Sequence, residues 1–138
     1  MTSVGYSDTP LIKKLGIKEN MKVLLLHAPP DYLIMLERDI SAQFCKKKQP
    51  PDFIQLFAAD KKIFEREMKR LQPAWTTHTS VVIWISWYKK STPMFRDLTE
   101  DIIRKYALAH GLVDVKVCAI SEHWSGLKLV VPLSERRK

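Results

Sequence analysis

The stretch SVVIWISWY at residues 80–88 decides the fold, because side chains this rich in β-branched and aromatic types are typical of a central strand. Toward the N-terminus, two further apolar runs stand at residues 53–59 (FIQLFAA) and 21–28 (MKVLLLHA). A nearly continuous apolar run is the pattern of a strand buried on both faces. The three runs therefore predict the centre of a parallel sheet that is covered on both sides.

Helix signals separate these strands. The start signals are Asp60, which can cap a helix, and the D-x-x-E pattern of Asp97 and Glu100, which predicts a capping box. Gly16 and Gly111 stand where a helix is expected to end. The four predicted helices cover residues 9–15, 31–36, 60–71 and 97–110.

The C-terminal part predicts a β-hairpin, with strands at residues 113–120 and 127–131 joined by the loop SEHWSG at 121–126. A weaker strand candidate covers residues 42–47. Strand–helix alternation that closes on a hairpin predicts a three-layer α/β fold with a mainly parallel sheet and helices on both faces. Class I methyltransferases have this Rossmann-like plan, which is shortened here. Numbered along the chain, the six candidate strands are expected in the order 2-1-3-4-6-5.

Length and composition fit one domain over residues 1–138, because 46% hydrophobic residues can fill a core without disulfides. Cys45 and Cys118 have no metal-binding spacing, which favours a reduced intracellular protein with two buried thiols. The first residues lack the order of a secretory signal, and no apolar run approaches the about 20 residues that span a bilayer. We therefore expect a cytoplasmic protein without a membrane partner.

The chain is basic, with a net charge of +8. This charge favours a nucleic-acid or phosphate partner through counterion release. The alternative is a solvated surface that keeps the protein soluble. Both interpretations stay open, because the basic clusters are scattered over residues 13–14, 46–48, 61–62, 89–90 and 135–138.

Six stretches carry a resemblance to a known family: GYSDTPLIKKLGIK (5–18), LLLHAP (24–29), DFIQLF (52–57), WISWYKK (84–90), DLTED (97–101) and GLVDVKVCAISEHWSGLKLV (111–130). They cover nearly the whole chain, and on them it resembles the bacterial family called domain of unknown function 3052. The resemblance implies a small methyltransferase-like fold and assigns no reaction. The chain departs from the family pattern at Asp31, where glycine is common, and at Tyr88, where proline is common.

Open parallel sheets bind ligands beyond the carboxyl ends of their strands, near the point where strand order reverses. A dinucleotide or S-adenosylmethionine site needs glycines directly after the first strand, so that backbone N–H groups can approach the ligand. Ala28, Pro29 and Pro30 stand there instead, and proline has no N–H. The second strand ends in lysines and not in the acid that holds a ribose. We therefore expect no such cofactor.

The same edge offers lysines beside aromatic rings, which suits a phosphorylated or nucleic-acid ligand. The alternative is an ordinary strand end with Trp87 in the core. His27 and Asp31 could together bind a metal, but the sequence shows no third ligand at a recognisable spacing. His123 could act as a general acid or base if Glu122 oriented it. The candidate ligand-binding residues are His27, Asp31, Tyr32, Trp87, Lys89, Lys90, Ser91 and Trp124; we predict no catalytic and no metal-binding residue.

The leading hypothesis is a non-enzymatic, degenerate methyltransferase-like domain. It would bind an anionic ligand (a nucleotide, a nucleic acid or a phosphate) or a protein partner. One alternative is a small transferase that holds S-adenosylmethionine in a non-standard pose. The other is a structural subunit of a homo-oligomer, in which Trp75, Phe95 and Trp124 form an apolar contact patch.

Overall fold

The computed structural model describes residues 9–46 and 48–136. Within these ranges, no helix has the length and apolar character needed to cross a bilayer. The helices are α1 (Leu11–Leu15), α2 (Tyr32–Leu36), α3 (Lys61–Thr77) and α4 (Glu100–Ala109). The strands are β1 (Val23–Leu26), β2 (Phe53–Phe57), β3 (Val82–Tyr88), β4 (Val113–Ala119) and β5 (Trp124–Val130).

The strands form one sheet in the order β1-β2-β3-β5-β4. β1, β2 and β3 are parallel, and β5 lies antiparallel between β3 and β4. This confirms the predicted mainly parallel sheet with a closing hairpin.

The candidate strand at residues 42–47 is wrong as a strand. Ser41–Gln43 form a 3-10 turn, and a single bridge joins Phe44 to Val23. The chain then leaves the sheet because it turns at Lys46, whose carbonyl accepts the N–H of Gln49 at 3.0 Å. The segment nevertheless lies outside β1, where the predicted order placed it.

Two buried clusters lie on opposite faces of the sheet, because successive strand residues point to opposite sides. In β2, Phe53 and Phe57 pack in the cluster under α1 and α2. Ile54 and Leu56 pack in the cluster under α3 and α4. We call these sides the α1 face and the α3 face. Since both faces are covered, every residue of β2 is buried, and the three-layer prediction is confirmed.

The two longer helices begin differently from one another. Asp60 caps α3 as predicted, because its carboxylate accepts a backbone N–H of the first turn at 2.9 Å. The capping box predicted for α4 is wrong. Thr99 is its cap, and the hydroxyl accepts the N–H of Ile102, three residues on, which is the spacing that a cap requires. Asp97 lies too far upstream and accepts the N–H of Lys61 at 2.8 Å.

α3 continues past the predicted end and passes through Pro73 to Thr77. Proline lacks the N–H of the helical ladder, so the last turns need tertiary support. Trp75 supplies it, because its ring is buried on the α3 face and its indole N–H donates to the His110 carbonyl at 3.1 Å. Trp124 is buried on the α1 face and Phe95 is partly buried. The predicted apolar contact patch is therefore wrong.

The hairpin loop is shorter than predicted, since β5 begins at Trp124. The Ser121 hydroxyl accepts the N–H of Trp124 at 3.3 Å and closes the turn. Gly126 lies inside β5, where a Cβ would stand 2.7 Å from the Ile120 side chain. Glycine is needed there because the Ile120 side chain, at the beginning of the loop, lies against the backbone of Gly126.

Both cysteines are free and only partly buried, so the prediction of two buried thiols is wrong. The reason is position: Cys45 follows the outermost bridge of the sheet, and Cys118 lies on the edge strand β4. Burial still raises the pKa of both thiols, which disfavours the reactive thiolate.

Candidate functional site

The carboxyl ends of β1, β2 and β3 form one edge of the sheet, and the β4–β5 loop lies at the same edge. β1 stands between Phe44 and β2, so the chain leaves β1 in one direction and later returns on its other side. This is the point at which strand order reverses and Rossmann-like sheets hold ligands. The loops at residues 27–31 and 58–60 flank it.

The β1–α2 loop offers few backbone donors to a ligand. Pro29 and Pro30 have no N–H, and the N–H of Tyr32 donates to the Pro29 carbonyl at 3.1 Å. Asp31 is exposed at the start of α2 and makes no side-chain cap. The loop therefore offers a phosphate fewer backbone N–H groups than a glycine-rich turn does.

Tyr32 is a predicted ligand residue that the structure places in the core. It is 3% exposed, and its hydroxyl donates to Gln55 Oε1 at 2.6 Å. The Gln55 amide donates in turn to the Ser86 hydroxyl at 3.1 Å. Burial raises the pKa of Tyr32 far above its ordinary value. Tyr32 thus anchors α2 to β2 and β3, and its hydroxyl does not face a ligand in solution.

The N-terminus of α3 is also occupied. Its first N–H groups are bonded by two carboxylates, Asp60 to Ile63 and Asp97 to Lys61. A helix N-terminus attracts anions through its N–H groups and its dipole. Here the carboxylates of Asp60 and Asp97 already occupy this position, so a phosphate placed there would be repelled by two negative charges.

His27 is a predicted site residue whose side chain makes a short contact with a buried carboxylate. It follows β1 with φ of 57°, and its Nε2 lies 2.6 Å from Glu67 Oε2 in α3. Glu67 is 4% exposed, while the His27 side chain is 42% exposed. Arg70 and Arg66 stand 3.4 and 3.6 Å from the same carboxylate. The hydrogen bond with His27, followed by the charges of the arginines, lowers the pKa of Glu67.

The metal pair of His27 and Asp31, which was considered from the sequence and not predicted, has no counterpart in the hydrogen bond of His27, whose partner is Glu67. Asp31 begins the short helix α2, whereas His27 pairs with a residue of α3, the helix on the α3 face. No group of three metal-ligating side chains occurs in the described ranges.

A signal for Glu67 exists in the sequence. Glu67 lies among the core positions Phe64, Met68 and Leu71 of an amphipathic helix, and a carboxylate at such a position requires a partner.

Trp87 and Trp124 do not share a site. Trp87 is 6% exposed on the α3 face, in the core. The next residue, Tyr88, points to the α1 face and stacks on Trp124 with ring centroids 4.0 Å apart. Phe57 packs edge-on against Trp124 at 5.0 Å. The aromatic group at this edge is therefore Tyr88 with Trp124, and the prediction that Trp87 stacks on a ligand is wrong.

Lys89, Lys90 and Ser91 form a turn at the end of β3. The Lys89 N–H donates to the His123 carbonyl at 2.9 Å, and its own carbonyl accepts both the N–H and the hydroxyl of Thr92. Lys90 and Ser91 are exposed. The structure thus joins this turn to the hairpin loop, and it leaves Lys90 exposed to solvent while Lys89 is partly buried.

Lys46 and Lys48 lie away from this edge, contrary to the prediction; Lys47 falls outside the described residues. The Cys45 N–H donates to the Val23 carbonyl, and the Asp52 N–H donates to the Lys22 carbonyl, both at 2.8 Å. Both ends of this short connection are therefore bound at the start of β1. The lysines cannot reach the carboxyl end because strand pairing stops after one bridge.

Similarity to known proteins supports the fold and does not identify a function. No family model matches the chain, and no curated protein does. It is similar to a solved protein of the NADB-Rossmann superfamily from Streptococcus agalactiae, with 11% identity and a TM-score of 0.53 over 93% of this chain and 70% of that one. It is also similar to a SAM-dependent methyltransferase from Aquifex aeolicus, with 9% identity and a TM-score of 0.44 over 88% of each chain. Together with the sheet order, the first likeness shows that the chain has a Rossmann-like fold.

Proposed function

We propose that this chain is a degenerate Rossmann-like domain that binds an anionic partner through the exposed side of α3. The observation that carries the proposal is a row of four exposed cations on that side. Lys62, Arg66 and Arg70 recur every fourth residue and Lys69 lies three residues after Arg66, and these spacings place all four on one side of a helix. We call Lys62, Arg66, Lys69 and Arg70 the α3 basic face.

The charge balance of the two long helices supports this choice. α3 carries five basic residues against two acids, Glu65 and Glu67, so an excess of positive charge remains although Glu67 pairs with Arg66 and Arg70 as well as with His27. In α4, Arg104 is surrounded by the carboxylates of Glu100, Asp101 and Asp114. An unbalanced row of charge produces a field that draws anions from a distance, whereas a neutralised cluster does not. The attraction is therefore expected at α3 and not at α4.

The sheet edge supports the same proposal from the other side. A nucleotide-binding fold holds phosphate and ribose at this edge of the sheet. In this chain the same edge has a proline turn, a buried tyrosine and a helix N-terminus whose N–H groups are bonded by Asp60 and Asp97. His27 remains accessible beside α3, and no hydrogen bond among the described residues involves its Nδ1. A ligand on the α3 basic face can reach this imidazole.

Heparin affinity chromatography at low salt tests the proposal. The variant carries Lys62→Gln, Arg66→Gln, Lys69→Gln and Arg70→Gln. The control carries the same charge loss at exposed lysines elsewhere: Lys18→Gln, Lys46→Gln, Lys90→Gln and Lys105→Gln. We expect the variant to elute at clearly lower salt than the control. Equal elution of the two proteins, or a wild-type chain that heparin does not retain, contradicts the proposal.

A further inference from the structure

A second group of cations lies on the α1 face of the β4–β5 hairpin. Lys116 and Lys128 stand directly opposite each other in the strand pair. Lys128 is also opposite Trp84 of β3, whose indole N–H donates to the Leu15 carbonyl at 2.9 Å. This bond holds the end of α1, with Lys14, over the same part of the sheet. Burial raises the pKa of Cys118 in β4, and the nearby charges of Lys14 and Lys116 partly offset that rise.

Arg136 completes the group from the C-terminal turn, where its Nε donates to the Val131 carbonyl at 2.8 Å. Partial burial, followed by the charges of Lys116 and Arg136, lowers the pKa of Lys128. We call Lys14, Lys116, Lys128 and Arg136 the hairpin cluster.

A β-bulge keeps the nearest carboxylate of β4 away from this cluster. Asp114 pairs with Leu129 and Lys116 with Lys128, so Val115 is an extra residue in β4. Without it, residues 114 and 116 would point to the same face. The extra residue turns Asp114 to the α3 face, where its carboxylate binds Arg104 at 3.1 Å. Lys116 is left on the α1 face without that partner.

The hairpin cluster is electrostatically unfavourable by itself. None of the ion pairs within residues 9–46 and 48–136 includes any of its four members. Like charges directly opposite in a sheet are destabilising, and partial burial of an ammonium adds to the cost. A bound anion would remove both penalties.

We propose that the hairpin cluster is a binding site for a compact phosphate-bearing ligand. Lysine ammoniums bind phosphate as point charges, and an arginine adds a planar pair of donors. Directly opposed strand residues are about 5 Å apart at Cβ. That spacing suits one or two adjacent phosphate groups. The site lies on the face of the sheet opposite the α3 basic face, so it does not depend on the function proposed above.

Calorimetry with inorganic pyrophosphate at low salt tests the site in the full chain. We expect binding by the wild type, and affinity about tenfold weaker for Lys116→Gln and for Lys128→Met. Without ligand, Lys128→Met is expected to melt at a higher temperature than the wild type, because a repelling charge is gone. Lys105→Gln on α4 is the matched control and should leave both values unchanged.

Three outcomes overturn the site. They are a wild type that gives no binding heat, a Lys128→Met variant that binds like the wild type, and loss of binding only in the variant of the α3 basic face. The two proposals are separable. Heparin retention by α3 together with absent pyrophosphate binding would refute the hairpin site alone.

Discussion

His27 Nε2 lies 2.6 Å from Glu67 Oε2, and this contact joins the loop after the first strand to the middle of α3. The carboxylate is buried in a helix whose solvent side is basic, so one acid stabilises a histidine and two arginines at once. The contact lies beside the point where Rossmann-like sheets bind ligands. It connects that point to the surface that we propose for anions.

The pKa of Glu67 makes this contact dependent on pH. Since the folded-state pKa is lowered, its stabilisation is fully present above the ordinary glutamate pKa of about 4.3 and is lost as the pH falls through the folded value. We expect Glu67→Gln to lower the free energy of unfolding by about 1–2 kcal/mol at pH 7, and by progressively less as the pH falls through the folded-state pKa of Glu67. Urea unfolding across this range measures the difference. The exposed Glu65→Gln is the control, and a Glu67→Gln variant with an unchanged profile would show that the contact contributes nothing.

The start of α4 depends on Thr99. Removal of a threonine cap costs about 1 kcal/mol, so Thr99→Ala should lower stability by that amount. Backbone amide exchange should rise in the first turn of α4. Asp97→Ala should instead raise exchange at the start of α3, where its carboxylate binds the N–H of Lys61. If Asp97→Ala affected α4 as Thr99→Ala does, the capping box would be right and our assignment wrong.

Gly126 allows the hairpin loop to pack onto β5. A methyl group there would lie 2.7 Å from Ile120 and 3.1 Å from the Trp84 ring, so Gly126→Ala should cost about 1–3 kcal/mol. Thermal unfolding measures the loss. The double variant with Ile120→Val should recover part of it, because the side chain that clashes is smaller. A Gly126→Ala variant as stable as the wild type would refute this close packing.

The sequence predicted the fold well because the signals that define it are local. Continuous apolar runs identified the buried strands, and Asp60 identified the start of α3. The candidate site was less predictable, because it depends on which face each strand end presents. The side-chain period of a strand is two, so Trp87 and Tyr88 point in opposite directions, and only the three-dimensional pairing with Trp124 shows which ring lies at the site.

Glu67 was missed for a related reason. Its partner His27 is 40 residues away, and no local pattern joins the two. No sequence pattern predicts the bulge at Val115 either, although it determines whether Asp114 neutralises Lys116. Contacts of this kind depend on the tertiary structure and not on spacing along the chain.

The most direct measurement of the central claim is a titration of ¹⁵N-labelled protein, followed by backbone amide shifts, with a heparin hexasaccharide and then with S-adenosylmethionine. We predict that the hexasaccharide shifts the amides of residues 62–70 and of His27, and that S-adenosylmethionine leaves the amides of Ala28, Asp31, Tyr32 and residues 58–61 unchanged. Saturable shifts of the Ala28, Asp31 and Tyr32 amides with S-adenosylmethionine, with α3 unresponsive to heparin, would contradict the claim and place a cofactor at the sheet edge.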